Sequence, residues 1–228
     1  MIRTTNDYPV ATIAIERAVR LVSTARLRDP VLLALVEPTM LDDLAEIEGA
    51  TSFRLTEQSH AASLFPSGRP HANFVNAAFT YFRPREQNRF NGPLRGAWYA
   101  AMAVETALHE VAFHLLRELH RVNDYHATVE YAEMWASFAG SFVDLRSTTP
   151  TPECLHHDAD IGYAAGNRLA DETRDAGLNG IIYPSVRHHG GTCLVALWPH
   201  VVQSVAQGRV LRLRWSGTPE YSLETVAA

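Results

Sequence analysis

The chain has 228 residues, 46% hydrophobic and 20% charged, with a formal net charge of −5 and a pI near 6.1. That length buries one sizeable core, and nothing in the acidic balance argues for a surface built to hold nucleic acid or an anionic membrane. Two cysteines, Cys154 and Cys193, exclude a disulfide scaffold; no apolar run spans a bilayer and no secretion signal is legible at the start, so a cytoplasmic protein is expected.

Residues 10–48 read as helical. Val10, Ile13, Ala14, Ala18, Leu21 and Val22 recur at helical spacing. Val31 to Val36, with Leu41, Leu44 and Ile47, predict two more short helices set off by Pro30 and Pro38, and Gly49 ends the block. From Thr51 the texture changes: 52–55 is predicted as a strand, and 63–76, rich in Pro, Gly, Ser and His, as a loop. A strand over 96–100 should enter a helix over 104–120, followed by strands at 125–134 and 140–145. Pro150 and Pro152 break the chain before a helix over 163–176 capped by Gly177. Strands are predicted at 180–183, 192–198 and 210–215. Strands and helices mix without strict alternation, which predicts an α+β fold rather than a doubly wound parallel sheet.

The richest stretch is 89–111, RFNGPLRGAWYAAMAVETALHEV. It delivers Arg89, Tyr99 and Glu110 in that order. They offer a fork for phosphate oxygens, a ring face for a base or nicotinamide, and a carboxylate for ribose hydroxyls or for positive charge at an anomeric carbon. Helix geometry speaks against the carboxylate. Val104, Leu108, Val111, Leu115 and Leu119 form one stripe at about 100° per residue, and Glu110 falls nearly opposite with Thr106, Phe113 and Arg117. A solvated outer-face Glu is the commoner case. Phe113 points the other way, towards a covered face or a cleft.

The same helix carries His109 and His114, five residues apart. Five residues turn the second about 140° from the first, and Phe113 stands at the place where the zinc-protease pattern needs its second His. The groups His156-His157 beside Asp158 and Asp160, and His188-His189 before Gly190-Gly191, read as loop residues. No metal site is expected.

A second segment, 180–200, sets two apolar strands around a turn carrying Ser185, Arg187, His188 and the Gly190-Gly191 pair. The glycines permit positive φ and close approach of backbone N–H groups to a ligand oxygen. The plain alternative is a long hairpin with a polar tip. Ser185 is outside any Gly-x-Ser-x-Gly elbow, so a covalent nucleophile is not expected.

Arg89-Phe-Asn, Trp98-Tyr99, Glu105-Thr-Ala-Leu-His-Glu110-Val and Tyr183-Pro-Ser185-Val-Arg187-His188, followed by Gly190-Gly191, resemble in that order the RES-domain family. The family is named for its Arg, Glu and Ser, and its characterised members are toxins of bacterial toxin–antitoxin pairs. The resemblance implies a catalytic domain over 49–228 with a compact α+β core similar to diphtheria-toxin-type ADP-ribosyltransferases, preceded by a helical extension over 1–48. It implies cleavage of NAD+ at the nicotinamide–ribose bond, by hydrolysis or by phosphorolysis. NAD+ is then a substrate rather than a cofactor, and inorganic phosphate an optional co-substrate. The implied partner is a helix-turn-helix, Xre-like antitoxin.

Carried over residue by residue, Glu110 is the family's Glu and Ser185 its Ser. The family Arg falls at Arg54 or at Arg89, and holds the pyrophosphate. Tyr99 stacks on nicotinamide, and Arg187 and His188 join the NAD+ pocket. Glu110 stabilises the oxocarbenium-like state of N-glycosidic cleavage, while Ser185 positions a ribose hydroxyl, a phosphate or a water. The chain departs from the pattern in the long loop between Arg54 and Arg89 and in Asn88, where Gly is common. Two other readings stand beside this one: a protein ADP-ribosyltransferase with the same pocket, and a non-catalytic module that only binds the antitoxin.

Overall fold

The computed structural model describes residues 5–24, 71–80, 87–92 and 95–226. Its strands are β1 (Val10–Ser23), β2 (Trp98–Ala101), β3 (His126–Asp144), β4 (Gly180–Pro184), β5 (Thr192–Ala196), β6 (Gln203–Ser216) and β7 (Tyr221–Val226). Its helices are α1 (Ala72–Thr80), α2 (Val104–Val122) and α3 (Ala159–Asp175). The strands make one seven-stranded sheet in the order β1-β2-β5-β4-β3-β6-β7, and β1 also pairs with β3. That extra pairing closes β1, β2, β5, β4 and β3 into a ring. Every pairing is antiparallel except β3 with β4. The mixed architecture agrees with the α+β expectation.

Residues 10–23 correct the helical expectation: they form β1. Six of its fourteen residues, Val10, Thr12, Ile13, Ile15, Val19 and Val22, are β-branched. Such side chains are stiff at χ1 and suit a pleated surface. Exposure alternates residue by residue from Val10 to Glu16, the period of a strand rather than a helix. The strand runs along β3 from Val10 opposite Val143 to Ser23 opposite Tyr131, with a register shift between Ile15 and Ala18. These residues therefore belong to the sheet and are no separate helical extension. The helices expected within 31–47, the strand over 52–55 and Arg54 lie outside the described residues.

Smaller differences follow local chemistry. The end of the expected 63–76 loop is the start of α1. The two strands expected over 125–145 are one, running unbroken through Gly140. Helix α3 starts four residues early, because the Asp158 side chain caps it by accepting from the Asp160 N–H at 2.9 Å. Strand β7 is mostly exposed, carries no apolar run, and is held by backbone pairing to β6.

Alternation along β4 and β5 sorts the core into two faces. Ile181, Tyr183, Cys193 and Val195 pack with Leu108, Ala112 and Leu169 of α2 and α3. Ile182, Leu194 and Ala196 pack on the other side with Trp98 and with Val75 and Phe79 of α1. Burial on both faces is why these strands read as continuous apolar runs, and each buried Ile or Leu contributes about 1.5–3 kcal/mol. The same alternation puts Tyr99, Tyr183 and Cys193 on the face shared with α2 and α3. Among the described residues no helix is long and apolar enough to cross a membrane.

Candidate active site

The predicted apolar stripe of α2 faces the core: Leu108, Ala112 and Leu119 are buried, and Val104, Val111 and Leu115 pack against them. The opposite face is covered as well. Thr106 is 1% exposed and Glu110 is half-buried, because the turn between β4 and β5 lies across them. Glu110 is therefore not the solvated outer-face carboxylate that helix geometry alone suggested.

That turn is fastened at Ser185. Its Oγ donates to Glu110 Oε1 at 2.6 Å and accepts the N–H groups of Arg187 at 3.2 Å and His188 at 3.0 Å. One donor and two acceptor positions are all a hydroxyl has, so Ser185 is saturated. The Ser185 N–H donates to the Gly191 carbonyl at 2.8 Å, and the Gly191 N–H to the His188 carbonyl at 3.0 Å. A Cβ at Gly191 would stand 2.7 Å from Thr106 Oγ1 and 2.9 Å from His188 Nδ1. Glycine is needed there so that the turn packs on α2.

Beneath Glu110 lies a neutral floor. Cys193 Sγ is 3.8 Å from Glu110 Oε1; burial, and then the carboxylate's charge, hold this thiol well above its usual range. Tyr183 is 5% exposed, and burial pushes its phenol up, with Cys193 and Glu110 adding to the effect. Both groups stay protonated at neutral pH.

Two guanidinium groups approach from the side of α3. Arg187 lies over Phe113, its guanidinium carbon 3.5 Å from the ring centroid, and its Nη2 donates to the His157 carbonyl at 3.1 Å. Burial and the neighbouring charge of Arg89 lower its pKa, though a guanidinium remains charged. Arg89 is 8% exposed, and its Nη1 donates to the carbonyls of Cys154 at 2.6 Å and His156 at 3.0 Å. Its guanidinium carbon is 5.4 Å from the centroid of Tyr163. Its backbone is held by α3, which comes so close that a Cβ at Gly166 would meet the Arg89 carbonyl oxygen at 2.0 Å. Tyr99 holds the same turn from the sheet: its hydroxyl accepts the Phe90 N–H at 2.9 Å and donates to Asn91 Oδ1 at 2.8 Å. Burial raises the Tyr99 phenol pKa.

Of the residues expected in the site, Arg89, Tyr99, Glu110, Ser185 and Arg187 converge on one side of the sheet. His188 turns away. Its Nδ1 shares a hydrogen bond with Thr106 Oγ1 at 2.9 Å, and its ring stacks on His109 with centroids 4.5 Å apart. Three neighbours, Tyr163, Cys193 and Tyr183, were not singled out as site residues in the sequence. Tyr163 carried no signal, since it arrives through the docking of α3. Cys193 reads in the sequence only as an apolar strand position, and Tyr183 opens the Tyr183-Pro-Ser185 motif without a role of its own.

Among curated proteins no sequence matches this chain. A solved structure with a low likeness is the toxin–antitoxin complex MbcT–MbcA of M. tuberculosis, at TM-score 0.36 and 15% identity over 53% of this chain and 71% of that one. The family model of the RES domain matches residues 64–216, a span holding Arg89, Tyr99, Glu110, Ser185 and Arg187; the chain belongs to the RES-domain family.

Proposed function

We propose that this chain is a toxin-like enzyme that cleaves NAD+ at the nicotinamide–ribose bond, by hydrolysis or phosphorolysis. The observation that carries the reading is the setting of Glu110. Its carboxylate is half-buried and fixed by the Ser185 hydroxyl at 2.6 Å, and among the described residues it has no ion-pair partner. A negative charge with a fixed position and no cation in direct contact, although Arg187 is near enough to feel it, is available for a cation that forms during reaction.

In cleavage, nicotinamide leaves with the bonding electron pair and positive charge spreads over C1′ and the ring oxygen. Glu110 binds the ribose hydroxyls and stabilises that charge. Water, losing a proton to solvent, or inorganic phosphate then bonds to C1′, giving ADP-ribose or its phosphorylated form. Arg187 and Arg89, with Arg54 as the other candidate for the family Arg, bind the pyrophosphate as a bidentate fork suits. In this reading Tyr99 stacks on nicotinamide while its hydroxyl holds the Arg89 turn. Ser185, with all its hydrogen bonds in use, acts through Glu110 as a positioning residue. The mixed fold is read as a relative of the diphtheria-toxin-type ADP-ribosyltransferase core over 49–228, to which β1 adds a strand. A helix-turn-helix, Xre-like antitoxin in the cytoplasm is the partner, covering the cleft.

The test is incubation of the purified chain with NAD+, with and without phosphate. Free nicotinamide with ADP-ribose supports hydrolysis, and a phosphorylated ADP-ribose supports phosphorolysis. Label transferred to a protein would replace both with ADP-ribosyl transfer. Intact NAD+ in every arm would leave only antitoxin binding.

A further inference from the structure

We propose that Glu105, His109 and His188 form a zinc site that clamps the β4–β5 turn onto the first turns of α2. One ligand atom from each residue lies within 4.8 Å of the other two. Two of the donors share a helix face: Glu105 and His109 are four residues apart, the separation that brings side chains together on a helix. His109 fails to pair with His114, five residues on, but its four-residue partner lies in the other direction and is a carboxylate. Glutamate oxygen is an accepted zinc donor beside imidazole nitrogen.

The third donor is delivered by the turn. His188 Nε2 is 3.9 Å from Glu105 Oε1, while Nδ1 is hydrogen-bonded to Thr106 Oγ1 at 2.9 Å. Thr106 is 1% exposed, so this bond is shielded. With the Nδ1 proton given to Thr106, Nε2 keeps its lone pair on the side of Glu105. A hydrogen bond at the far nitrogen is how metal-bound imidazoles are oriented. Gly191, which has no room for a Cβ beside Thr106 and His188, makes that placement sterically feasible.

The distances are those of an open site close to its bound form. Zinc–ligand lengths of about 2.0–2.2 Å put tetrahedral neighbours about 3.4 Å apart, so Glu105 and His188 need to close by about half an ångström. His109 must also turn, because its ring lies within 10° of parallel to that of His188 and two stacked rings cannot aim their lone pairs at one ion. Its exposure leaves it free to do so. Two nitrogens and one oxygen suit zinc, whereas magnesium and calcium prefer oxygen ligands. The bound ion would hold the turn whose His188 N–H bonds to Ser185 Oγ, and so stiffen the contact with Glu110. Metal binding itself does not depend on the NAD+ reading.

The full metal-free chain is titrated with zinc by calorimetry and with cobalt by visible absorption, and hydrogen exchange is followed over residues 185–191. One ion per chain, a four-coordinate cobalt spectrum with water as the fourth ligand, and slower exchange in the turn are expected. The doubly substituted chain Glu105→Gln, His109→Ala should bind zinc at least tenfold more weakly and lose the protection, while His157→Ala changes neither. Circular dichroism checks that both variants are folded. No zinc uptake by the wild type overturns the proposal. So does equal uptake by the doubly substituted chain, which would assign the ion to other histidines, or binding without protection of the turn.

Discussion

Glu133 and Glu110 are both drawn into the fold, which treats them differently. Glu133 of β3 is 2% exposed and receives the Trp135 indole N–H at 3.1 Å and the Arg209 backbone N–H at 3.2 Å. It also receives the Arg209 guanidinium, through Nη2 at 2.8 Å and Nε at 3.2 Å. Burial pushes its pKa up, but the bonds from Arg209 and Trp135 outweigh burial and hold it below the usual carboxylate range. A cavity of about 590 Å³ opens beside it, lined by Arg17, Trp135 and Gly208 among others, yet its charge is already spent. Glu110 has a hydroxyl and a thiol, and no cation in contact among the described residues. Charge held in place without a cation in direct contact marks a site of chemistry better than cavity size does.

The largest expected effect breaks this comparison at Glu110. Glu110→Gln keeps shape and helix propensity but removes the charge, and NAD+ turnover should fall by about a hundredfold or more. The melting temperature should hold, and cells expressing the variant without a partner should keep their NAD+ while wild-type expression depletes it. Near-normal turnover in the variant would return Glu110 to the role of an ordinary half-buried Glu.

Glu133→Gln should show the opposite pattern. It places an amide where Trp135 and Arg209 both donate, and should cost about 1–3 kcal/mol of stability with turnover unchanged. Arg209 is 61% exposed, so solvent screening favours the lower end of that range. Because the folded-state pKa of Glu133 is depressed, its contribution is fully present above the unfolded value of about 4.3 and is lost as pH falls through the folded value. Denaturation curves from pH 7 to pH 3 should therefore converge for wild type and variant at the acid end. A gap that widens towards acid would mean that Glu133 is not the paired anion described.

Ser185→Ala comes next. It deletes the bond to Glu110 and the acceptor for two backbone N–H groups. A loss of about 1 kcal/mol in positioning corresponds to a fall in kcat of roughly fivefold to tenfold, with little change in KM. A loss as large as that of Glu110→Gln would mean that Ser185 meets the reacting atoms itself.

What could be seen in the sequence was what local pattern decides. The periodicity of α2 and the glycines between β4 and β5 placed Glu110 and Ser185 on a helix and in a turn. Helix geometry also gave the right angle for Glu110, but it could not tell that the β4–β5 turn covers that side. Phe113 was the trace of this, since Arg187 lies on it. β1 was misread because its apolar residues satisfy helical spacing as well as strand chemistry, and pairing with β3 far along the chain decides between them. Glu133 and Tyr163 gave no signal, because Arg209 and Arg89 reach them only through the assembled sheet and the docked α3. Glu105 and His109 had the right spacing, yet without His188 from the distant turn they are two exposed side chains on a helix.

Tyr163 supplies the smallest and most selective test. Its ring lies 5.4 Å from the Arg89 guanidinium carbon, a separation at which a cation–π contact is worth about 0.5–1 kcal/mol. If Arg89 holds the pyrophosphate, the ring supports ground-state and transition-state binding alike, so its loss should appear in KM and leave kcat alone. Tyr163→Phe keeps the ring and removes the hydroxyl that bonds to Arg187, so a KM for NAD+ within about twofold of wild type would assign the effect to the ring. Tyr163→Ala removes it and should raise KM by about twofold to fivefold, the range that contact energy implies. Steady-state kinetics over a tenfold range of NAD+ around KM resolve the two variants. A fall in kcat for Tyr163→Ala would place Tyr163 against the reacting ribose rather than behind Arg89, and would extend the chemistry of Glu110 across the cleft to α3.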